Sequence, residues 1–298
     1  MTFVRRDSAV WQLRSRTLPL GNRTVVMGIL NITPDSFSGD GLVADQERAI
    51  ALGMEMLDAG AKILDIGGES TRPGQREPVP AEEEIDRVLP VIEAILRARP
   101  DAVISIDTYK AKTARAAVKA GVEIVNDVSG FLWDEAMAVT CAELGCGVVL
   151  MHTRGRPEEW KSLPRLRADD VVGVVKGDLR RRLDAARAAG VAAERIVLDP
   201  GLGFGKAYDS NYPLLAGLGE LRELGRPLLS GVSRKSFLGR TLASLYGGTD
   251  APAKERGNAT IAAVTASILA GADIVRVHDV RSAIEAAAIA DAVLAAPA

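Results

Sequence analysis

The sequence predicts an α/β protein, a (β/α)8 TIM barrel with a short N-terminal extension, and three observations carry that prediction. Strand-like and helix-like segments alternate about eight times over roughly 250 residues, the rhythm and length of such a barrel. Polar residues close nearly every predicted strand instead of gathering at one switch point, and the first strand–helix junction lacks the G-x-G-x-x-G turn of a doubly wound sheet. No linker divides the chain, so residues 1–23 read as an extension capping the barrel and residues 24–298 as one barrel domain.

The elements follow in order. "TVVMGILNIT" (24–33) is the first strand. "MLDAGAKILDIGG" (56–68), "AVKAGVEIVNDVSG" (117–130), "AELGCGVVLMHT" (142–153) and "ILAGADIVRVHDV" (268–280) share one grammar: a helix end, a glycine, a β-branched strand, then polar residues. "AVISIDT" (102–108), "RIVLDPG" (195–201) and "PLLSGVS" (227–233) complete the eight strands. In the helix predicted over 82–97, Ile85, Val88, Leu89, Ile92, Ile95 and Leu96 define one apolar face for packing on a sheet.

The 298 residues are 47% hydrophobic with a formal net charge of −2. Neither a basic surface nor an aromatic platform is encoded, which argues against nucleic acid as a partner. No stretch has the length and apolarity of a membrane span, and the N-terminal segment lacks the apolar core of a signal peptide, so a cytoplasmic protein is expected. Cys141 and Cys146, five apart within a predicted helix, suit a reducing compartment as small buried residues.

Side chains alternate across a strand, so parity separates barrel interior from helix-facing positions. Ser105 and Asp107 share one side, Asn126 sits with Ile124, Asp199 with Val197, and Arg276 and His278 with Ile274. Polar groups therefore come late and on one parity, at the C-terminal mouth where barrel enzymes build their sites. A guanidinium inside a barrel must be paired, so Arg276 meets either a fixed carboxylate such as Asp65 or an anionic ligand. His278, two residues on, points the same way, and with only two histidines a three-His zinc site is excluded. "NITPDSFSGDG" (31–41) and "ESTRPGQREPVP" (69–80) read as binding loops; Asn31 offers a neutral oxygen to a hard metal and Arg72 a second cation. "DPGLGFGK" (199–206) looks like a phosphate loop but fails the pattern, because Pro200 lacks an N–H and Ala207 a hydroxyl. Lys206 there reads as an ordinary loop lysine. Lys235, in "SGVSRKSFLGR" after the seventh strand, is a candidate donor to phosphate or to a ring.

These segments, in this order from residue 24 onward, resemble the dihydropteroate synthase family: "GILNITPDSFSGDG", "ILDIGGESTRPG", "ISIDTYK", "IVNDVSG", "LMHTRG", "LDPGLGFGK", "SGVSRKSFLG" and "ADIVRVHDV". The resemblance implies a homodimeric, Mg2+-dependent barrel enzyme that joins 6-hydroxymethyl-7,8-dihydropterin diphosphate to 4-aminobenzoate, and a target of sulfonamides. It places the pterin against Asp107, Asn126, Asp199 and Lys235, and the diphosphate against Thr71, Arg72, Arg276 and His278, with Asn31 on the metal. It places aminobenzoate among Phe37, Thr71, Pro73, Phe204 and Ser236, and gives Asp107, Asp199, Lys235 and Arg276 catalytic roles. Residues 151–166, "MHTRGRPEEWKSLPRL", depart from the family's usual "MHMxG-x-P-x-x-M" run. Two alternatives stay open: a barrel of the methyltetrahydrofolate methyltransferase type, and a non-catalytic pterin-binding homologue.

Overall fold

The computed structural model describes residues 3–32, 42–70 and 78–297. Residues 9–20 form a hairpin of β1 (Ala9–Gln12) and β2 (Thr17–Leu20), paired antiparallel. Eight parallel strands follow: β3 (Val25–Asn31), β4 (Ile63–Gly67), β5 (Ile104–Asp107), β6 (Ile124–Asp127), β7 (Gly147–Met151), β8 (Ile196–Asp199), β9 (Leu229–Ser230) and β10 (Ile274–Val277). They hydrogen-bond in the order β8-β7-β6-β5-β4-β3-β10-β9, and a parallel bridge between Leu198 and Leu228 closes the ring. A doubly wound sheet is thereby ruled out.

Helices α1 (Leu42–Asp58), α2 (Ala81–Ala98), α3 (Ala111–Lys119), α4 (Met137–Leu144), α5 (Val171–Ala188), α6 (Asn211–Ala216), α7 (Ser236–Thr241), α8 (Gly257–Leu269) and α9 (Val280–Ala295) lie between and after the strands. Alternation produces two cores. Val26, Leu30, Leu64, Ile66, Ile104, Ile106, Val125, Leu198 and Val275 face outward into the layer between strands and helices. Val25, Met27, Ile63, Val103, Ile124, Val149, Val197, Leu229 and Ile274 face inward and fill the lower half of the barrel.

The hairpin belongs to that inner core: Trp11, Leu13 and Leu20 are buried against it. Gly147 makes room for the plug, since a Cβ there would stand 2.9 Å from Leu13 Cδ2 and 3.4 Å from Trp11. Trp11 Nε1 donates to the Arg195 carbonyl (2.7 Å), and Arg195 donates to the Leu13 carbonyl (2.5 Å), so polar bonds fix the hairpin to the β8 end of the floor. The floor is sealed by side chains, and the polar residues that end the strands collect at the opposite mouth.

One local expectation holds with additions and one is corrected. On α2, Val88, Ile92 and Ile95 are buried and Leu89 and Leu96 pack against the core as expected, while Ile85 is only partly covered and Glu84 and Val91 join the buried face. Buried Glu84 is satisfied by Thr108 Oγ1 (3.1 Å) and Lys110 Nζ (2.9 Å) from the turn between β5 and α3, and by Thr113 Oγ1 (2.9 Å) of α3, partners that helical periodicity does not reveal. Cys146 lies beyond its helix, because Gly145 takes φ +59° and ends α4; both cysteines are buried and free. Asp279 caps α9, accepting from Ser282 N (3.2 Å), and so starts a helix immediately after β10.

Candidate active site

Arg276 organises the mouth. It projects inward from β10 and crosses the barrel, donating through Nε to Asp65 Oδ2 (2.5 Å) on β4 and through Nη2 to Asp107 Oδ2 (2.6 Å) on β5. Asn126 of β6 donates its amide to the same Asp65 oxygen (2.8 Å). Four strands are thus tied by one guanidinium, two carboxylates and one amide. The pairing of Arg276 with Asp65 allowed by the sequence is present, and Asp107 joins it. An incoming anion therefore competes for Arg276 with two carboxylates.

That arrangement shifts the titration of its members. Burial pushes the Asp107 carboxyl up to about 7, opposed by Arg276 and reinforced by Asp65. Arg276 is held above the usual arginine range, since Asp65 and Asp107 outweigh the cost of its burial. Asp199, buried at the end of β8, is also raised by burial, while Lys235, Lys206 and Arg276 pull it back toward ionisation. One of its oxygens accepts from Gly201 N (2.7 Å) and the other lies toward Gly231.

A cavity of about 420 Å³, within the usual size of small-ligand sites, opens above these groups. Of the residues singled out from sequence, Asn31, Asp107, Phe204, Lys235, Ser236, Arg276 and His278 line it. Asn126 and Asp199 sit below its wall, both buried. Phe37, Thr71, Arg72 and Pro73 lie outside the described residues. His278 is oriented by Ser233, whose hydroxyl accepts from the His278 backbone N–H (3.2 Å) and meets Nδ1 at 2.9 Å. Lys235 Nζ stands 3.9 Å from the Phe204 ring centroid, a cation–π contact.

Sequence reasoning missed several residues here. Trp160, in the divergent segment, lines the cavity and meets Phe204 edge to face with ring centroids 5.4 Å apart; no periodic pattern surrounds it to mark it. Ser233, Arg234 and Arg256 also line the wall. Lys206 is the clearest correction: it is buried, not a solvated loop lysine, and donates to the carbonyls of Gly201 (2.7 Å), Phe204 (3.1 Å) and His152 (3.3 Å).

His152 lies behind the site, buried, with Nε2 3.0 Å from Asp178 Oδ2. Burial, reinforced by Lys206, depresses its pKa to about 3. The unfolded chain therefore takes up a proton near pH 6.5 that the folded protein refuses until about 3, and the stability present above 6.5 is lost as pH falls through that window. His152→Gln should remove this increment, at most about 1.4 kcal/mol per pH unit. Urea midpoints at pH 7.5 and 5 would check it; an unchanged pH dependence would contradict the assignment.

The profile of the pterin binding enzyme family matches residues 27–278. The chain belongs to this family, among the dihydropteroate synthases. It is 43% identical over 284 residues to the dihydropteroate synthase of Clostridium beijerinckii, covering 95% of this chain and 99% of that one. It is 44% identical over 288 residues to the Bacillus subtilis synthase, covering 97% and 95%. Among solved structures, a Xanthomonas albilineans dihydropteroate synthase with 4-aminobenzoic acid superposes with a TM-score of 0.85 at 39% identity, covering 98% of this chain and all of that one. A Yersinia pestis synthase with a sulfonamide drug complex gives 0.86 at 39% identity, covering 96% and 100%. Among the described residues no helix is long and apolar enough to cross a membrane.

Proposed function

We propose that this protein is a dihydropteroate synthase, condensing 6-hydroxymethyl-7,8-dihydropterin diphosphate with 4-aminobenzoate to give 7,8-dihydropteroate and diphosphate. The observation that carries this reading is the convergence of Asp107, Asn126, Asp199, Lys235 and Arg276 at one barrel mouth in a chain 43% identical to a named synthase over nearly its whole length. A structure of the Xanthomonas albilineans synthase holds 7,8-dihydropteroate.

A pterin edge presents an exocyclic amine beside a ring N–H, and the Asp199 carboxylate can accept from both. Asn126 suits a mixed donor–acceptor edge, Asp107 adds acceptors, and Lys235 donates toward the ring carbonyl and N5. As the methylene–oxygen bond breaks, its electron pair leaves with diphosphate, and positive charge spreads over the pterin, where Asp107 and Asp199 stabilise it. The arylamine lone pair then forms the new C–N bond, and its proton passes to solvent. An arylamine is unprotonated at neutral pH, so no strong general base is needed.

Arg276, His278 and, from sequence, Arg72 and Thr71 would hold the diphosphate; Phe204, Ser236, Phe37 and Pro73 would enclose the aminobenzoate. Magnesium fits as an ion arriving with the diphosphate: among the described residues no cluster of three His, Cys, Asp or Glu could cage it, and Asn31 lines the cavity as a neutral oxygen donor. Bound there, the ion would neutralise charge on the leaving group. We further propose a cytoplasmic homodimer, on family resemblance alone. Purified protein given both substrates and Mg2+ is expected to release diphosphate and form dihydropteroate; no product under those conditions would refute the function.

A further inference from the structure

We propose that Lys206 is a positioning residue for Asp199, clamping the 199–206 turn and supplying a buried positive charge that keeps the carboxylate able to receive the pterin. This rests on the synthase reading above and deepens it.

A lysine ammonium has three donors. All three are accounted for by Gly201 O, Phe204 O and His152 O, at 2.7, 3.1 and 3.3 Å. Two of these carbonyls belong to the turn itself and the third to the chain following β7, so the ammonium both closes the turn on itself and fastens it to the neighbouring strand end. The Asp199 carbonyl accepts from His152 N (2.8 Å), a second tie along the same line. Gly201 must be glycine for this closure: its φ is +62°, and a Cβ would fall 1.9 Å from the His152 carbonyl oxygen.

The clamp has two consequences for the site. It presents the Gly201 N–H to one Asp199 oxygen, which leaves the other toward the cavity-lining Gly231. It also holds the Phe204 ring in contact with Lys235 and Trp160. A solvated lysine would do neither. The charge matters as well, because burial disfavours ionised Asp199 and the cations facing it are Lys206, Lys235 and Arg276. Burial works against the Lys206 charge, as do Arg182, Lys235 and Arg154, while Asp199 opposes them as its anion; the three carbonyls around Nζ call for the three donors that only the ammonium has.

Lys206→Gln keeps donors but removes the charge; Lys206→Arg keeps a charge that cannot be lost. In Lys206→Gln, kcat/KM for the pterin diphosphate is expected to fall about ten- to a hundredfold, by analogy with the loss of groups that orient metal ligands. The carboxyl 13C titration of Asp199, assigned by its disappearance in Asp199→Asn, should move to higher pH by about one unit. Lys206→Arg should restore that titration. A folded Lys206→Gln protein with an unmoved Asp199 titration would overturn the proposal, and so would failure of both variants to fold, which would assign Lys206 to the fold alone. An inactive wild-type enzyme would refute the synthase reading instead; an active wild type indistinguishable from Lys206→Gln would refute only this inference.

Discussion

Asp199→Asn is expected to lower kcat/KM for the pterin diphosphate by about 10³-fold, the scale on which one aligned electrostatic partner of a transition state acts. The substitution is nearly isosteric, and the asparagine oxygen can still accept from Gly201 N as Asp199 Oδ1 does. What changes is the atom facing the ligand, which becomes an N–H donor opposite the ring's own donors. Stability should move the other way. Burial holds the folded pKa of Asp199 above its unfolded value, so the ionised carboxylate costs stability as pH rises above the unfolded pKa, and a neutral side chain avoids that cost. Steady-state kinetics at saturating aminobenzoate, with urea unfolding at pH 8, checks both halves. A variant losing activity and stability together would show that Asp199 serves the fold.

Arg276→Met is the second large effect, and here stability and function fall together. Removing the guanidinium strands Asp65 and Asp107, which share it at 2.5 and 2.6 Å, and breaking one side of a buried pair costs about 3–5 kcal/mol. The loss should depend on pH with a definite sign. Asp107 titrates at about 7 with Arg276 beside it, and without that cation its folded pKa goes higher still. A raised folded pKa gives stability that is present at low pH and lost as pH rises through it. The deficit relative to wild type should therefore be smaller at pH 6 than at pH 8.5, by urea unfolding. Equal deficits would mean that the unpaired carboxylates are not what destabilises the variant.

The barrel and its polar mouth were legible because both rest on short-range rules. Period-two alternation put Asp107, Asn126, Asp199, Arg276 and His278 on the inner side of their strands, and the inward core of Val103, Ile124, Val197 and Ile274 has that same parity. The choice between a carboxylate and an anion for Arg276 was not legible, because its partners lie 211 and 169 residues away. Lys206 was misread for a related reason. A glycine-rich surrounding suggests an exposed turn, whereas the turn folds back so that its carbonyls enclose the ammonium. Glu84 escaped notice because a charged residue on a helix is assigned to solvent until its buried partners from another element are known. Trp160 lies in a stretch without periodicity, where sequence offers no coordinate frame.

The single Leu198–Leu228 bridge has a mechanical meaning. The Arg276 group is a brace across β10, β4, β5 and β6, stiffening one arc of the ring. Opposite it, β8 and β9 are clasped by that bridge and by Leu198 N donating to Pro227 O (3.0 Å), with no continuous ladder. The clasp falls between the strand ending in Asp199 and the strand leading to Lys235. Any widening of the mouth costs least along this line, where Asp199 and Lys235 can part without disturbing the brace.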